Sequence, residues 1–272
     1  MQIYTFWEPR DRMPYYIQLC IETWKKFLPE AEITILDFSN VKNYIDIDIY
    51  GKNLLSGRFS FMLISDAVRI ALIEKIGGIW LDADTILLNK SARKYFLREY
   101  NYQISFWGNP KTKSYFTCYI NSVAHSECMR VWLDFVKKQI RNLTPQTEVT
   151  WDYVLGNMIN DYPKTHPEEV KIVDSNLNLP ETWTLSEEVL KSPRQEDINK
   201  RIAAFQNYYF RQQKHIEDVP TDMLILHNSW VPPVFKNFSK EEFLRCNSTM
   251  SNILMATLDM KRDPTKSLIT FA

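Results

Sequence analysis

Short runs of apolar residues along the first third of the chain predict three β-strands. Two of them, at residues 2–6 and 32–36, are apolar stretches of strand length with polar residues at their ends. The third, GIWLDAD at residues 78–84, begins with apolar residues on both faces, which is typical of a central strand covered by helices.

Between these strands, apolar residues recur at helical spacing. One helix is predicted to start after Pro14, because proline is favoured in the first helical turn. A longer helix is predicted from Gly57 to the Gly77-Gly78 pair, where glycine ends it. Strands that alternate with helices in this way predict an α/β fold with a mainly parallel sheet.

The remaining two thirds of the chain have a less regular pattern. Strands are predicted to begin at Tyr102, Tyr115 and Met223, and a short VKIV strand is predicted within the loop-rich residues 160–195. Helices are predicted to begin at His125, Thr150, Ile198 and Glu241, and the last of them is expected to close the fold.

Composition narrows the classes of protein that this chain can represent. The 272 residues are 45% hydrophobic, and 33 basic residues balance 33 acidic ones. A net charge of zero argues against broad attraction to nucleic acid, so no nucleic-acid partner is expected. No glycine-rich dinucleotide fingerprint occurs. The four cysteines are scattered, so buried free thiols are expected.

The amino-terminal residues, MQIYTFWEPRDRM, lack a basic segment followed by a long apolar run. We therefore expect no signal peptide and a cytoplasmic protein. No window of the chain contains the run of about 18 apolar residues that a membrane-spanning helix needs.

Asp82 and Asp84 are the strongest candidates for chemistry. Alternate side chains along a strand share a face, so the two carboxylates are expected to point the same way. At the carboxyl edge of a parallel sheet, where open α/β folds bind ligands, they would suit a hard divalent cation. The alternative is that acidic residues simply end a buried strand.

The preceding helix carries Asp66 and Arg69, which lie three residues apart and hence on one face. Because this helix is apolar nearly all round, most of it is expected to be covered by other elements. A covered charged pair needs a partner or a polar ligand. The alternative is a surface ion pair, which would fit a half-exposed helix better.

The run SDAVRIALIEKIGGIWLDADTIL at residues 65–87 resembles the signature of DXD-containing glycosyltransferases. These are the capsular polysaccharide sugar transferases and their relatives, among them the glucosyltransferase domain of the large clostridial toxins. The resemblance is close over residues 57–90. Two shorter stretches support it, IYTFW at residues 3–7 and LHNSWVPP at residues 226–233.

The resemblance implies a Rossmann-like fold of the GT-A type, with a mainly parallel central sheet and helical C-terminal additions. A single glycosyltransferase domain is then expected over residues 1–272. Residues 1–110 would bind the nucleotide sugar, and residues 111–272, with the C-terminal helices, would bind the acceptor.

The activity that the resemblance implies is transfer of a hexose from a nucleotide sugar, with a UDP-sugar as the expected donor. The expected acceptor is a saccharide or a lipid-linked saccharide, in capsule or other surface polysaccharide synthesis. Retention of anomeric configuration is implied as well. Manganese, or else magnesium, is the expected cofactor, with Asp82, Asp84 and His227 as its ligands.

Matching the family's motif also gives roles to residues that would bind the nucleotide. Trp7 is expected to stack on the base, and Ser229 and Trp230 are expected to donate hydrogen bonds to phosphate oxygens. Asp82 is expected to contact ribose or sugar hydroxyls as well as the metal. The alternatives are that Trp7 is a core aromatic residue and that His227 is a structural histidine.

The donor sugar is expected to be held through its hydroxyls by Asp66 and Arg69. Asp152, in the segment TWDYVLGNM, lies where related enzymes place polar residues around that sugar, although the local match is weak. No carboxylate nucleophile stands out, so a front-face displacement is the expected route to retention.

Two other functions share these residues. LDADT matches the DxDxT motif that follows an apolar strand in haloacid-dehalogenase-type phosphatases, where the first aspartate, here Asp82, is the nucleophile. Those enzymes usually need a late acidic pair at a strand end, and neither Glu196-Asp197 nor Glu217-Asp218 follows an apolar strand. The other alternative is a catalytically inactive transferase fold that binds saccharide.

The acceptor side is marked only by NYYFRQQKH at residues 207–215, which mixes aromatic residues with positive charge. One hypothesis is a peripheral contact with the inner face of the cell membrane, where a lipid-linked acceptor would sit. The alternative is a helix with a solvated basic face. His125 is predicted either to face the binding cleft or to start a helix.

Overall fold

The computed structural model describes residues 1–98, 101–109, 114–144, 146–147, 149, 153–154, 158–174, 185–192, 194–219 and 221–271. The chain divides into two compact units. The first unit comprises Met1–Arg12, Glu30–Ala83 and Tyr95–Ser175. The second comprises Met13–Pro29, Asp84–Lys94 and Asn176–Ala272.

The described strands, in chain order, are β1 (Gln2–Phe6), β2 (Glu32–Leu36), β3 (Gly78–Leu81), β4 (Thr85–Leu87), β5 (Ile104–Asn109), β6 (Ser114–Ser122), β7 (Val170–Asp174) and β8 (Met223–Ile225). The described α-helices are α1 (Tyr15–Phe27), α2 (Phe61–Ile76), α3 (Glu127–Arg141), α4 (Met158–Thr165), α5 (Glu187–Lys191), α6 (Gln195–Gln206), α7 (Pro233–Lys236), α8 (Lys240–Arg245) and α9 (Thr249–Thr257).

The first unit is built on a six-stranded sheet in the order β2-β1-β3-β6-β5-β7. The pairs β1–β2, β1–β3 and β5–β7 are parallel, whereas β6 runs antiparallel to both of its neighbours. The sheet is therefore mixed but mainly parallel, which confirms the predicted α/β fold class. The carboxyl ends of β1, β2 and β3 lie at one edge, because these three strands are parallel neighbours.

Helix α2 covers this sheet and is apolar on nearly all sides. It contacts β1, β3 and β6 and also packs on α3, so its side chains are buried around most of the circumference. The predicted helix from Gly57 is too long at its start. The Ser60 backbone is extended, and its hydroxyl accepts a hydrogen bond from the Leu63 N–H, so the helix begins only at Phe61.

Gly77 and Gly78 connect α2 to β3 without any intervening loop. Gly77 has a φ of +73° and Gly78 a φ of +93°, which favour glycine at both positions. A Cβ on Gly77 would lie 2.5 Å from the backbone nitrogen of Ala124. The predicted end of the helix at this pair is confirmed, and the close approach of the 122–124 backbone explains why glycine is required there.

The second unit contains the two-stranded antiparallel sheet β4–β8, against which α1 packs. The Trp24 indole donates to the Thr85 carbonyl at 2.7 Å, and the Leu87 N–H donates to the Thr23 hydroxyl at 3.0 Å. Two buried side chains of α1 thus satisfy backbone groups of β4. These bonds fix the strand that begins immediately after Asp84.

Two predicted elements end earlier than expected. Strand β3 stops at Leu81 and a turn includes Ala83 and Asp84, so the strand alternation that would place both carboxylates on one face does not apply. The predicted closing helix is two helices, α8 and α9. Ser248 separates them, because its side chain accepts from the Ser251 N–H and starts a new helix.

The helix predicted from Thr150 lies partly outside the described residues, and the nearest described helix, α4, starts at Met158. All four cysteines are free and buried, as predicted. None of the helices in the described part of the chain is both long and apolar enough to cross a membrane.

Candidate active site

The carboxyl edge of β1, β2 and β3 collects polar and aromatic side chains of the first unit. Trp7 directly follows β1, Asp37 follows β2, and Asp82 follows β3. Tyr4 pairs with Trp80 in the parallel β1–β3 register. Two residues further along, Phe6 at the end of β1 is level with Asp82, which follows β3. Because ligands of open α/β sheets bind outside the carboxyl ends of the strands, this edge is the candidate site.

Asp82 is held in one orientation by two donors. Its Oδ1 accepts a hydrogen bond from the Arg69 guanidinium at 2.8 Å and another from the Trp80 indole N–H at 2.8 Å. The Asp82 side chain is 30% exposed, whereas that of Arg69 is only 5% exposed. A buried cation and a buried indole therefore fix a carboxylate that still reaches solvent.

Arg69 is the centre of this cluster. Its guanidinium lies 3.2 Å from an Asp66 carboxylate oxygen, donates to the Thr117 carbonyl at 2.8 Å, and stacks on Trp80 at 5.1 Å from the ring centroid. The sequence predicted that Asp66 and Arg69 share a covered helix face, and both are buried as expected. Their proposed contact with a sugar stays a prediction, since each already has protein partners.

The Asp66 carboxyl titrates near neutral pH. The pKa of Asp66 is raised to about 7. Burial is the main cause; the Arg69 guanidinium opposes it and the Asp82 carboxylate adds to it. The Asp66 carboxyl is therefore partly protonated at neutral pH.

A dependence of stability on pH follows. Between about pH 4, where a free aspartate titrates, and pH 7, the folded state binds the Asp66 proton and the unfolded state does not. The Asp66 contribution to the free energy of unfolding therefore falls as pH rises through this window. We expect Asp66→Asn to gain stability relative to the parent protein between pH 5 and pH 8, measured by urea unfolding at both values. An unchanged difference would contradict the raised pKa.

In the second unit, Asp84 is tied to the segment that follows β8. The Leu226 N–H donates to the Asp84 carbonyl at 3.1 Å, and the Asn228 N–H donates to the Asp84 carboxylate at 2.9 Å. His227 lies between these two donors in the chain. The Tyr16 hydroxyl donates to the Asn228 side-chain carbonyl, which further fixes this segment. The segments that carry Asp84 and His227 are thus joined by one backbone–backbone bond and by one bond from the Asn228 backbone to the Asp84 carboxylate.

His227 is an uncharged ligand candidate at neutral pH. Burial lowers the pKa of His227 to about 4, and the positive charge of Arg201 lowers it as well. The imidazole lies 4.1 Å from the Trp230 ring, centroid to centroid, and Trp230 is half-buried. Ser229 is exposed. A neutral imidazole keeps the lone pair that metal ligation requires.

Two cations near these residues could not be identified from the sequence. The positive charge of Arg201, on α6, lowers the pKa of His227. Lys236, at the end of α7, is half-buried; burial lowers the pKa of Lys236, and the Asp84 carboxylate raises it. Phe235 beside it packs on Tyr16, with ring centroids 5.5 Å apart. A lysine at position 236 has no sequence signal, because the fold alone brings α7 near Asp84.

Asp82, Asp84 and His227 fit a hard divalent cation by ligand chemistry, since carboxylate oxygens and neutral imidazole are metal donors. Among the residues that the structure describes, no group of three or more His, Cys, Asp or Glu is arranged to hold a metal ion. Metal binding therefore stays a prediction. Asp152, the remaining predicted site residue, lies outside the described residues.

The stretch from residue 207 to 215 does not present an aromatic surface. Tyr208, Tyr209 and Phe210 are buried within the second unit, so they cannot face a membrane, and the hypothesis of membrane contact through these rings is not supported. His125 precedes α3 and its ring nitrogen lies 3.0 Å from a Glu74 carboxylate oxygen.

Comparison with solved structures finds glycosyltransferases that are distantly similar to this chain. One is a glycosyltransferase involved in the glycosylation of the major capsid of PBCV-1 (TM-score 0.41, 14% identity, 64% of this chain and 81% of that chain). Others are the PaToxG glycosyltransferase (0.41, 15%, 75% and 84%) and the galactosyltransferase LgtC in complex with donor and acceptor sugar analogs (0.41, 10%, 74% and 83%). No curated protein sequence matches this chain significantly.

A mainly parallel six-stranded sheet covered by helices defines an α/β protein. Residues 1–219 match the family described as capsular polysaccharide synthesis protein. The match spans most of the chain, so the chain belongs to this family. The family predicted from the sequence is confirmed, and a relationship to the clostridial toxins stays a prediction.

Proposed function

We propose that this protein is a glycosyltransferase of the GT-A type that moves a hexose from a nucleotide sugar to a saccharide or lipid-linked saccharide during capsule synthesis. The donor is a UDP-sugar, and the anomeric configuration is retained. One observation carries the proposal: Arg69 and Trp80 hold the Asp82 carboxylate, partly exposed, at the carboxyl edge of the sheet. Membership in the capsular polysaccharide synthesis family supports the biological setting.

In this proposal Asp82, Asp84 and His227 are ligands of manganese or magnesium. When held by these residues, the cation would supply positive charge that stabilises the negative charge on the departing diphosphate. Lys236 adds positive charge close to Asp84. Ser229 and Trp230 donate to the diphosphate, and the exposure of Ser229 leaves its hydroxyl accessible.

The donor sugar is proposed to contact Asp66 and Arg69, and Asp152 is proposed to lie near it. Arg69 also orients Asp82 by donating a hydrogen bond to its carboxylate. Catalysis in this scheme is mainly electrostatic: the charges are fixed before the reaction, so little reorganisation is needed as the glycosidic bond breaks. A front-face displacement accounts for retention without a carboxylate nucleophile.

The proposal is tested by thermal unfolding with UDP. We expect UDP to raise the melting temperature far more with manganese than with a chelator, because the nucleotide would bind through the metal. Equal shifts under the two conditions would contradict a metal-bridged donor site. Release of inorganic phosphate from a phosphomonoester, lost in Asp82→Asn, would instead identify the phosphatase alternative.

Trp7→Ala is expected to weaken UDP binding by about 1–3 kcal/mol, because an indole stacked on a base contributes that much. Trp7 is half-buried at the end of β1 rather than enclosed in the core, so the fold is expected to survive its replacement. Isothermal titration of the parent protein, Trp7→Phe and Trp7→Ala measures the loss, with the phenylalanine variant between the other two. If Trp7→Ala instead lowered the stability of the fold and its folded fraction bound UDP as tightly as the parent protein, Trp7 would be assigned to the core.

A further inference from the structure

A cavity of about 500 Å³ in the first unit is separate from the residues assigned so far. Its lining is Lys52, Asn53, Ser56, Arg58 and Phe59, which belong to the segment that leads into α2. Two of these side chains are cationic and none is acidic. A cavity with this lining favours a ligand that carries negative charge.

The cations of the cavity differ in their availability. Lys52 is half-buried and its ammonium donates to the Leu143 carbonyl. Arg58 is exposed and, within the part of the chain that the structure describes, makes no hydrogen bond or ion pair. An arginine guanidinium offers a planar pair of donors that matches a carboxylate or a phosphate. Arg58 is therefore the residue that can bind an anion directly.

One aromatic side chain, Phe59, lines the same cavity. The first two residues of α2, Phe61 and Met62, follow shortly after it in the chain and are 51% and 43% exposed. Phe61 packs edge-on against Phe38, which follows β2, with ring centroids 6.0 Å apart. A few polar groups beside aromatic walls are typical of small-ligand sites, and pyranose rings pack their apolar faces on such rings.

The position of the cavity connects it to the donor site. Arg69, midway along α2, reaches Asp82 beyond the end of β3, so the earlier turns of α2 lie at the same edge of the sheet. Asp66 is five residues from the start of α2, which corresponds to a rise of about 7.5 Å. The cavity, which lies on the segment leading into α2, is therefore toward the same edge of the sheet as the residues proposed to hold the donor sugar.

We propose that this cavity binds the acceptor and that the acceptor is an acidic saccharide, with a sugar carboxylate paired to Arg58 and a pyranose ring packed on Phe59. The inference rests on the proposed function, since it names the acceptor class of the same transferase. It also accounts for a basic, aromatic-walled cavity in a chain whose net charge is zero.

The test compares two tetrasaccharides of equal length by isothermal titration, without donor present: tetragalacturonic acid and the neutral maltotetraose. We expect tetragalacturonic acid to bind at least tenfold more tightly, and Arg58→Gln to remove most of that difference while leaving maltotetraose unaffected. Lys42→Gln, which removes an exposed cation elsewhere in the same unit, is the matched control and should leave both affinities unchanged.

Equal affinities for the two tetrasaccharides, or equal losses in Arg58→Gln and Lys42→Gln, would overturn the inference, because binding would then reflect general charge attraction. Competition by UDP would overturn it as well, since the cavity would belong to the donor. The UDP thermal shift with manganese, measured on the same preparations, reports on the proposed function separately. Equal affinities of the parent protein for the two tetrasaccharides, together with an intact UDP shift, would therefore reject only the acceptor assignment.

Discussion

Asp82→Asn is expected to lower sugar transfer roughly 100- to 1,000-fold, the usual loss when one preorganised charge is removed from an active site. The change keeps the shape of the side chain but removes the negative charge that Arg69 and Trp80 orient at 2.8 Å. Initial rates of transfer or of donor hydrolysis measure the effect. Circular dichroism checks that the fold is retained.

Two matched variants sharpen this test. Trp80→Phe keeps an aromatic ring beside Arg69 but removes the indole N–H that donates to Asp82, so we expect a smaller loss than in Asp82→Asn. Asp11→Asn changes an exposed aspartate after β1 and should have no effect. If Asp82→Asn kept full turnover and only melted earlier, the carboxylate would be structural and the site assignment would be wrong.

Gly77→Ala should produce the largest loss of stability of any single change considered. The new Cβ would lie 2.5 Å from the Ala124 nitrogen and 3.0 Å from the Ser122 carbonyl oxygen, both of them backbone atoms that cannot rotate away. The residue would also keep a φ of +73°. We expect a loss of about 3 kcal/mol or more in the free energy of unfolding, from backbone strain together with the clash.

Gly57→Ala is the control for this prediction. Gly57 has a similar φ of +76°, yet a Cβ there would meet no atom within 4 Å. The control therefore measures the cost of a positive φ without a clash, about 1–3 kcal/mol. Urea unfolding of both variants separates strain from clash. Equal losses would mean that the 122–124 backbone moves aside without cost.

Several parts of the fold could be predicted because their sequence patterns are local. The apolar runs of β1, β2 and β3 and the helical period of α2 each lie within one segment of the chain. The burial of Asp66 and Arg69 also followed from one helix, since their neighbours on α2 are apolar on all sides.

The site residues that were missed depend on contacts between distant segments. Trp80 lies within the predicted strand at residues 78–84, and nothing in the sequence indicates that its N–H would meet Asp82. The strand was predicted through Asp84, but β3 ends at Leu81, since alternation cannot show where pairing stops. The sequence gives no indication that Lys236 lies near Asp84, because only folding brings α7 close to that residue.

The pairing of Asp84 with the residues on both sides of His227 has a consequence for sequence change in this family. Because the N–H groups of Leu226 and Asn228 donate to the Asp84 carbonyl and carboxylate, the position of His227 depends on strand register and on Asp84 rather than on which side chains β4 and β8 carry. Conservative apolar replacements at Met223 or Leu224 leave that register intact. A single-residue deletion within β8 would move every following side chain to the opposite face. Insertions and deletions next to this strand should therefore be rarer among functional relatives than substitutions within it.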